Sequence, residues 1–365
     1  MFRNLIIWIS DLFHLPARSP ALRDEGRDFD IRISNFLITH RDEMQEMTKD
    51  QVQTPSRGRY IYPSLLLILL FAFPLVNPPL FFLSLFFSVF MYVGLTESWN
   101  LMGGYTGYIS LGHIAFFSTG AYTTAVLMNR LGASPFATAI LGGVFASILA
   151  ALVGYPVLRL KGAYFTISSL LLAVVMQLIF MNWEFVGSST GLWYKLLPVS
   201  IETNRLIFYE AMLILATVIT LLVRWVEKSK FGAGLVAIRE DEDVAKTMGI
   251  NTPWLKMRAF VLGAFLAGLV GGVYGYYMSY VHPEVTFNIN TSLLILLMSF
   301  FGGCRTWTGP LLGAVVLSLV NQLIVTFIGA EISRMLYGLL LVVVIIFMPD
   351  GVIQFVKGAF LREKG

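Results

Sequence analysis

Charge is what this sequence has least of. Only 13% of its 365 residues are Asp, Glu, Lys or Arg, against roughly 25% in an ordinary soluble domain. The deficit is filled by apolar side chains, 56% of the chain, and mean hydropathy reaches +0.73. A water-soluble fold is excluded. A single cysteine, Cys304, excludes an intrachain disulfide. No G-x-x-x-x-G-K-[ST] occurs, so a machine built on this chain and driven by ATP must bind its nucleotide on another chain. H-E-x-x-H and G-x-S-x-G are missing too, and the four histidines (His14, His40, His113, His282) are scattered. That argues against an intramembrane hydrolase. Nothing points to a bound metal or to nucleic acid.

What is present is a series of long apolar stretches, which predict an all-α polytopic membrane helix bundle. About ten spans are expected, near 60–77, 79–98, 104–128, 134–156, 162–182, 206–226, 256–280, 290–303, 308–329 and 333–349. The eighth is short enough to be tilted, bent or partly inserted. Lys and Arg decide the orientation, since they accumulate on the cytoplasmic side. With the amino terminus inside, 22 of the 26 fall on inner loops and tails, and only Arg130, Lys195, Arg205 and Arg334 lie outside. Both termini are then cytoplasmic.

Three regions follow: a cytoplasmic arm over 1–58, a transmembrane domain over 59–352, and a basic cytoplasmic tail over 353–365. Phe2, Leu5, Ile6, Ile9, Leu12 and Phe13 recur at helical spacing, which predicts an interfacial amphipathic helix over 2–14 resting on membrane lipid. The largest outer loop, about 183–205, carries the turn-forming stretch Gly187-Ser-Ser-Thr-Gly191.

The polar exception within the membrane domain is the loop 227–255. On a helix over 237–248, Ala237, Ile238, Val244, Ala245 and Met248 fall within one arc. Arg239, Glu240, Glu242, Asp243 and Lys246 fall opposite, with Asp241 intruding on the apolar side. A shallow apolar arc of small residues suits docking into another protein's groove; the alternative is a solvated connector whose charges only keep it out of the membrane. Asn100 at the end of the second span, and His113, Gln177, Asn321 and Gln322 inside the spans, are costly in lipid. They either line a solute path or pair across helices. Glu97 and Glu210 are the lone intramembrane acids that proton coupling would need.

Several stretches, taken in order, resemble the permeases of branched-chain amino acid ABC transporters, of the LivM type rather than the sister LivH. They are Asn100-Leu with Gly104-Tyr-Thr-Gly-Tyr-Ile-Ser-Leu-Gly-His113, Lys161-Gly-Ala-Tyr-Phe-Thr-Ile-Ser168, Gly187-Ser-Ser-Thr-Gly-Leu192, Ala237 to Asn251, Tyr280-Val-His-Pro-Glu284, Gly302-Gly303, Thr308-Gly-Pro-Leu-Leu-Gly313 and Pro349-Asp-Gly351. The resemblance covers about 60–352. Ser188 replaces a usual glycine, and Cys304-Arg305 replaces a small uncharged pair. Asp243-Val-Ala-Lys-Thr-Met-Gly249 keeps the spacing of the family's E-A-A-x-x-x-G loop, with Asp for Glu and Val for the first Ala.

The resemblance implies a sister permease of the LivH type, two ABC ATPase subunits holding ATP and Mg, and an extracytoplasmic solute-binding protein. This chain itself would bind no cofactor and catalyse no reaction. ATPase coupling would fall to Ala237, Arg239, Glu240, Glu242, Asp243, Ala245, Met248 and Gly249. The loop 183–205 and the turn 281–289 would receive the loaded binding protein. Gly104, Gly107, Gly112, Gly302, Gly303, Gly309 and Gly313 would be packing glycines. The expected cargo is a branched-chain amino acid, with urea or a short-chain amide as the alternative. An ion-coupled secondary transporter relying on Glu97 or Glu210, or a channel, are readings from other classes.

Overall fold

In the computed structural model, the described residues are 58–327, apart from 77, 196, 197 and 199, together with isolated positions between 329 and 342. The expected amphipathic helix 2–14, the arm up to residue 57, most of the tenth span, Pro349-Asp-Gly351 and the basic tail lie outside them. One compact unit begins at Leu70.

Twelve α-helices follow one another in the described residues: α1 Gly58–Ala72, α2 Leu80–Gly103, α3 His113–Leu131, α4 Pro135–Val157, α5 Ala163–Asn182, α6 Ile201–Lys228, α7 Lys230–Glu240, α8 Glu242–Thr247, α9 Thr252–Met278, α10 Pro283–Thr286, α11 Ile289–Gly302 and α12 Thr308–Phe327. The boundaries follow local chemistry. Ser134 caps α4 by accepting from the Ala137 amide, with Pro135 at the first helical position. Ser200 caps α6 in the same way. Asn251 caps α9, followed by Pro253. Gly132 ends α3 in the left-handed region at φ 64°.

The all-α polytopic class is observed, while the count differs from the expected ten. Among the described residues, seven segments are long and apolar enough to cross a membrane: α2, α4, α5, α6, α9, α10–α11 and most of α12. The first expected span ends as a 3-10 turn over Phe73–Val76. The third is shorter than expected, because 104–112 is irregular and helix begins only at His113. Helix α3 is not among the seven; its His113, Ser118, Thr119 and Thr124 are buried against protein rather than offered to lipid.

Helix α9 is the centre of the bundle, with 72% of its spanning window buried. It lies against α2, α3, α4 and α6. The sequence reason is a face of small residues. A methyl group added at Gly271 would strike the Phe117 carbonyl, one at Gly268 the Ala146 side chain, and one at Gly272 the Thr124 hydroxyl. Helices approach that closely only where no Cβ stands between them. A second close crossing joins α11 to α12, where Gly302 meets Gly309 and Gly313 meets Met298. Aromatic side chains fill the wider gaps. Phe208 stacks on Tyr276 at 4.3 Å, and Phe87 on Tyr277 at 3.7 Å.

Substitution Gly271→Ala forces α9 away from a backbone carbonyl and is expected to cost about 3 kcal/mol, the upper end for overpacking. Gly132→Ala meets open space but must hold φ at 64°, and is expected to cost about 1 kcal/mol. Thermal melts of the detergent-purified protein check the order; equal losses would contradict the close-packing account of α9.

Candidate functional site

Two clusters tie the polar segment 229–251 to the bundle. The segment is not one helix. Asp241 adopts an extended backbone at φ −160°, and its carboxylate accepts from the Asp243 and Val244 amides. It therefore ends α7 and caps α8, which corrects the expected continuous helix over 237–248. The intruder on the apolar arc is the cap that breaks the helix.

The break re-aims the side chains around it. Glu242, expected on the outer polar face, turns inward. Its Oε1 accepts from the Lys256 Nζ at 2.9 Å, and its Oε2 from the Tyr108 hydroxyl. Lys246, one turn on, bridges the same carboxylate at 2.9 Å. Lys256 is only 3% exposed at its side chain, and also donates to the Leu158 carbonyl at 3.3 Å. Its ammonium lies 4.5 Å from the centre of the Tyr108 ring. A single buried ion pair thus joins α8, α9, the 104–112 loop and the end of α4. Burial pushes the Glu242 carboxyl up, but its hydrogen bonds from Tyr108, Lys246 and Lys256 outweigh that and bring it down to about 2.

A second cluster lies around Gly104. Arg239 Nη1 donates to the Gly104 carbonyl at 3.1 Å, and Asn100 Nδ2 to the Thr306 carbonyl at 3.3 Å. Glu227 Oε2 accepts from the Tyr105 hydroxyl at 3.0 Å and the Trp307 amide at 3.1 Å. Gly104 has no room for a Cβ beside Asn100 and the Cys304 carbonyl. Gly107 holds φ at 75° while the Arg239 side chain passes 3.1 Å from where its Cβ would be. Gly112 faces the Ser169 carbonyl. Of the glycines expected as packing residues, Gly104, Gly107, Gly112, Gly302, Gly309 and Gly313 stand at close approaches, and Gly303 holds φ at 95° with its carbonyl against Gly309; Gly104 and Gly107 make room for the 303–308 turn and the 229–251 segment.

The expected apolar arc divides. Ile238 and Ala245 are each 3% exposed and belong to the chain's own interior. Val244 is 56% exposed and Met248 78%. Ala237 is half-buried, Glu240 and Asp243 are exposed, and Gly249 follows Met248 at φ 81° with nothing within 4 Å of a Cβ. The outward apolar tip is therefore Val244 and Met248.

The five polar residues expected along a path are not brought together by their bonds. His113 Nε2 lies 2.8 Å from the Ser98 hydroxyl, and Asn100 reaches Thr306. Gln177 on α5 and Asn321 and Gln322 on α12 are half-buried. Glu97 is fully buried; the Leu311 amide faces it, but neither carboxylate oxygen makes a hydrogen bond of good geometry within the described residues. Glu210 lines an apolar cavity of about 440 Å³ between α4, α6 and α9.

At the opposite ends of α3 and α9, the other expected loops meet. Leu192–Trp193 (β1) pairs antiparallel with Tyr280–Val281 (β2), in the register Leu192 to Val281 and Trp193 to Tyr280. The Tyr280 hydroxyl donates to the Thr190 carbonyl at 2.6 Å, and His282 Nε2 lies 2.8 Å from the Ser189 carbonyl. Asn129 braces the Trp193 carbonyl at 2.6 Å. The long loop and the 281–289 turn thus make one platform, with Trp193 71% exposed on it.

The sequence profile of the family described as "Branched-chain amino acid transport system / permease component" matches residues 80–345, which hold both clusters and the platform. The chain belongs to that family. As such it is a multi-pass inner-membrane permease subunit of an ABC transporter, of the LivM type, and not an enzyme. It is 25% identical over 308 residues to the high-affinity branched-chain amino acid transport system permease protein LivM of Escherichia coli (strain K12), covering 75% of this chain and 70% of that one. A probable LivM of Methanocaldococcus jannaschii is also 25% identical, over 65% of this chain and 75% of its own length. The permease is 22% identical to the Escherichia coli LivH, over 72% of this chain and 91% of that one.

Lys256 and Tyr108 were missed by sequence reasoning as partners of Glu242. They stand 14 and 134 residues from it, and no spacing rule links them. By sequence Lys256 counts among the inner-loop cations, although the permease buries it.

Removing one member of a buried pair costs about 3–5 kcal/mol because the other charge is left unpaired. Glu242→Gln is expected to lose that much, and Glu242→Gln/Lys256→Met to recover part of it; additive losses in detergent melts would dissolve the pair as a unit. Since the folded carboxyl lies below its ordinary value of 4.5, its contribution is present above about pH 4.5 and lost as pH falls towards 2. Glu242→Gln is expected to flatten that acid limb.

Proposed function

We propose that this permease is the membrane-spanning half of an ATP-driven importer of branched-chain amino acids, with α7–α8 as its coupling segment. The observation that carries the reading is the outward pair Val244 and Met248, on a short helix fixed from behind by the buried Glu242–Lys256 pair. An apolar tip of that size fits a groove on a partner. A tip anchored by an ion pair to α9 and to the 104–112 loop moves as one body with them. Closure of two ATPase subunits, which hold ATP and Mg, would displace the tip and transmit the motion to the glycine-lined crossings of α9.

The remaining parts take their places from this. The basic loops put the coupling segment and both termini in the cytoplasm, so the β1–β2 platform faces outward and receives a solute-binding protein. A second permease of the LivH type stands beside this one. The solute path runs between the two, with Asn100, His113, Gln177, Asn321 and Gln322 as this chain's contribution. Relatives named for branched-chain amino acid transport favour leucine, isoleucine and valine as cargo.

Met248→Glu places a charge on the tip without touching the interior. It is expected to cut ATPase co-purification and leucine uptake about tenfold or more, the effect of losing a central interface anchor, with insertion and melting unchanged. Ala245→Glu is expected to fail differently, through loss of the fold, because Ala245 is buried in this chain. Full uptake by Met248→Glu in a membrane-transport assay would remove α8 from the coupling role.

A further inference from the structure

Behind the Glu242–Lys256 pair, a cavity of about 620 Å³ opens between the end of α4 and the start of α9. Its walls divide by chemistry. Gly154, Leu158 and Met257 form an apolar interior, Tyr155 and Trp254 flank it, and Arg159, Lys161 and Lys246 stand on its lining. Both helices that frame it are membrane spans, and this is where they end, so the cavity lies at the depth of lipid headgroups. The α4 surface leading to it is apolar and outward, with Leu152 71% and Tyr155 64% exposed.

The cations are not equally committed. Lys256 is held by Glu242, Tyr108 and Leu158. Lys246 is shared between Glu242 at 2.9 Å and Asp243 at 3.3 Å. Lys161 meets Asp243 at 2.9 Å across an exposed bridge, with side chains 53% and 74% exposed. Such exposed bridges contribute little, so exchanging one acid for another partner costs little. Arg159 has no carboxylate partner among the described residues. Its guanidinium lies over the Tyr155 ring at 4.2 Å and donates to the Tyr155 hydroxyl, an arrangement that fixes a planar fork of donors at the cavity mouth. Counting both acids, four cations face two carboxylates, and the excess is positive.

We propose that this cavity binds the phosphodiester headgroup of an anionic phospholipid. Arg159 and Lys161 take the phosphate, and one acyl chain runs along Leu152 and Tyr155. A basic pocket between helix ends, opening onto lipid, suits a ligand with a charged head and an apolar tail. A purely polar anion would leave the Tyr155, Trp254 and Met257 surface without a partner. The cavity's inner wall includes Glu242 and Lys246, so the bound lipid rests directly against the 229–251 segment. This holds whatever that segment couples to, because it needs only the membrane position of α4 and α9.

The test is lipid retention by the purified full chain, read by native mass spectrometry after exchange into detergent micelles containing phosphatidylglycerol or phosphatidylcholine. Phosphatidylglycerol is expected to be retained over phosphatidylcholine. Each cation contributes about fivefold, so Arg159→Gln is expected to weaken retention about fivefold and Arg159→Gln/Lys161→Gln about thirtyfold. Lys195→Gln, on the loop at the other end of the bundle, is the control and is expected to change nothing. Thermal melts of each variant separate loss of lipid from loss of fold, and Arg159→Gln alters an exposed side chain outside the buried pair. A third arm adds inorganic phosphate at the same phosphate concentration. Equal stabilisation by inorganic phosphate would assign the cavity to a free anion and overturn the lipid. Unchanged phosphatidylglycerol retention in the double variant, or equal retention of phosphatidylcholine, would also overturn it.

Discussion

The structure depends on a charge buried where charge is expensive. Lys256 sits one turn into the central helix, out of water, and its ammonium is tolerable only because Glu242 meets it at 2.9 Å while Tyr108 and the Leu158 carbonyl complete its shell. Each partner comes from a different part of the chain. Satisfying that one ammonium therefore fixes α8, the 104–112 loop and the end of α4 against α9. A hydrophobic pair would pack as well, but it would not specify which loop meets which helix.

Around that pair, small residues do the opposite work. At close crossings of the bundle, Gly271 meets the Phe117 carbonyl, Gly120 the Gly268 carbonyl and Gly302 the Gly309 carbonyl, so that no Cβ stands between the backbones. Such crossings hold helices close chiefly by dispersion. Rigid attachment at the polar end and smooth crossings through the middle suit a bundle whose helices are moved from one end. The same logic separates the two faces of the molecule. The platform of β1 and β2 is joined by backbone and side-chain hydrogen bonds, whereas the 229–251 segment is joined by ions.

Met248 and Ala245 illustrate how far pattern reading reaches. Helical spacing puts both on one apolar arc, yet Ala245 is 3% exposed and Met248 78%. Which of them faces outward depended on the break at Asp241, a cap formed by a side chain accepting two backbone amides. Asp241 stands out as the intruder on the arc, but spacing alone does not say that its side chain will cap rather than project. The 104–112 stretch is similar. Its glycines and aromatics read as the beginning of a span, yet they form an irregular loop, because Gly104 and Gly107 must admit Asn100 and Arg239.

The sequence alone determined the membrane, the helical class and the family, because each is a property of composition or of short motifs in order. Burying apolar side chains in lipid needs no knowledge of which helix is neighbour to which. Tertiary structure alone decided that Glu242 turns inward, that Lys256 is buried and that Val244 and Met248 make the outward tip. It also decided that the 183–205 loop pairs with the 280–281 strand. Those are pairings between residues far apart in the chain, and an ion pair or a strand pairing exists only once the fold has brought both partners within about 3 Å.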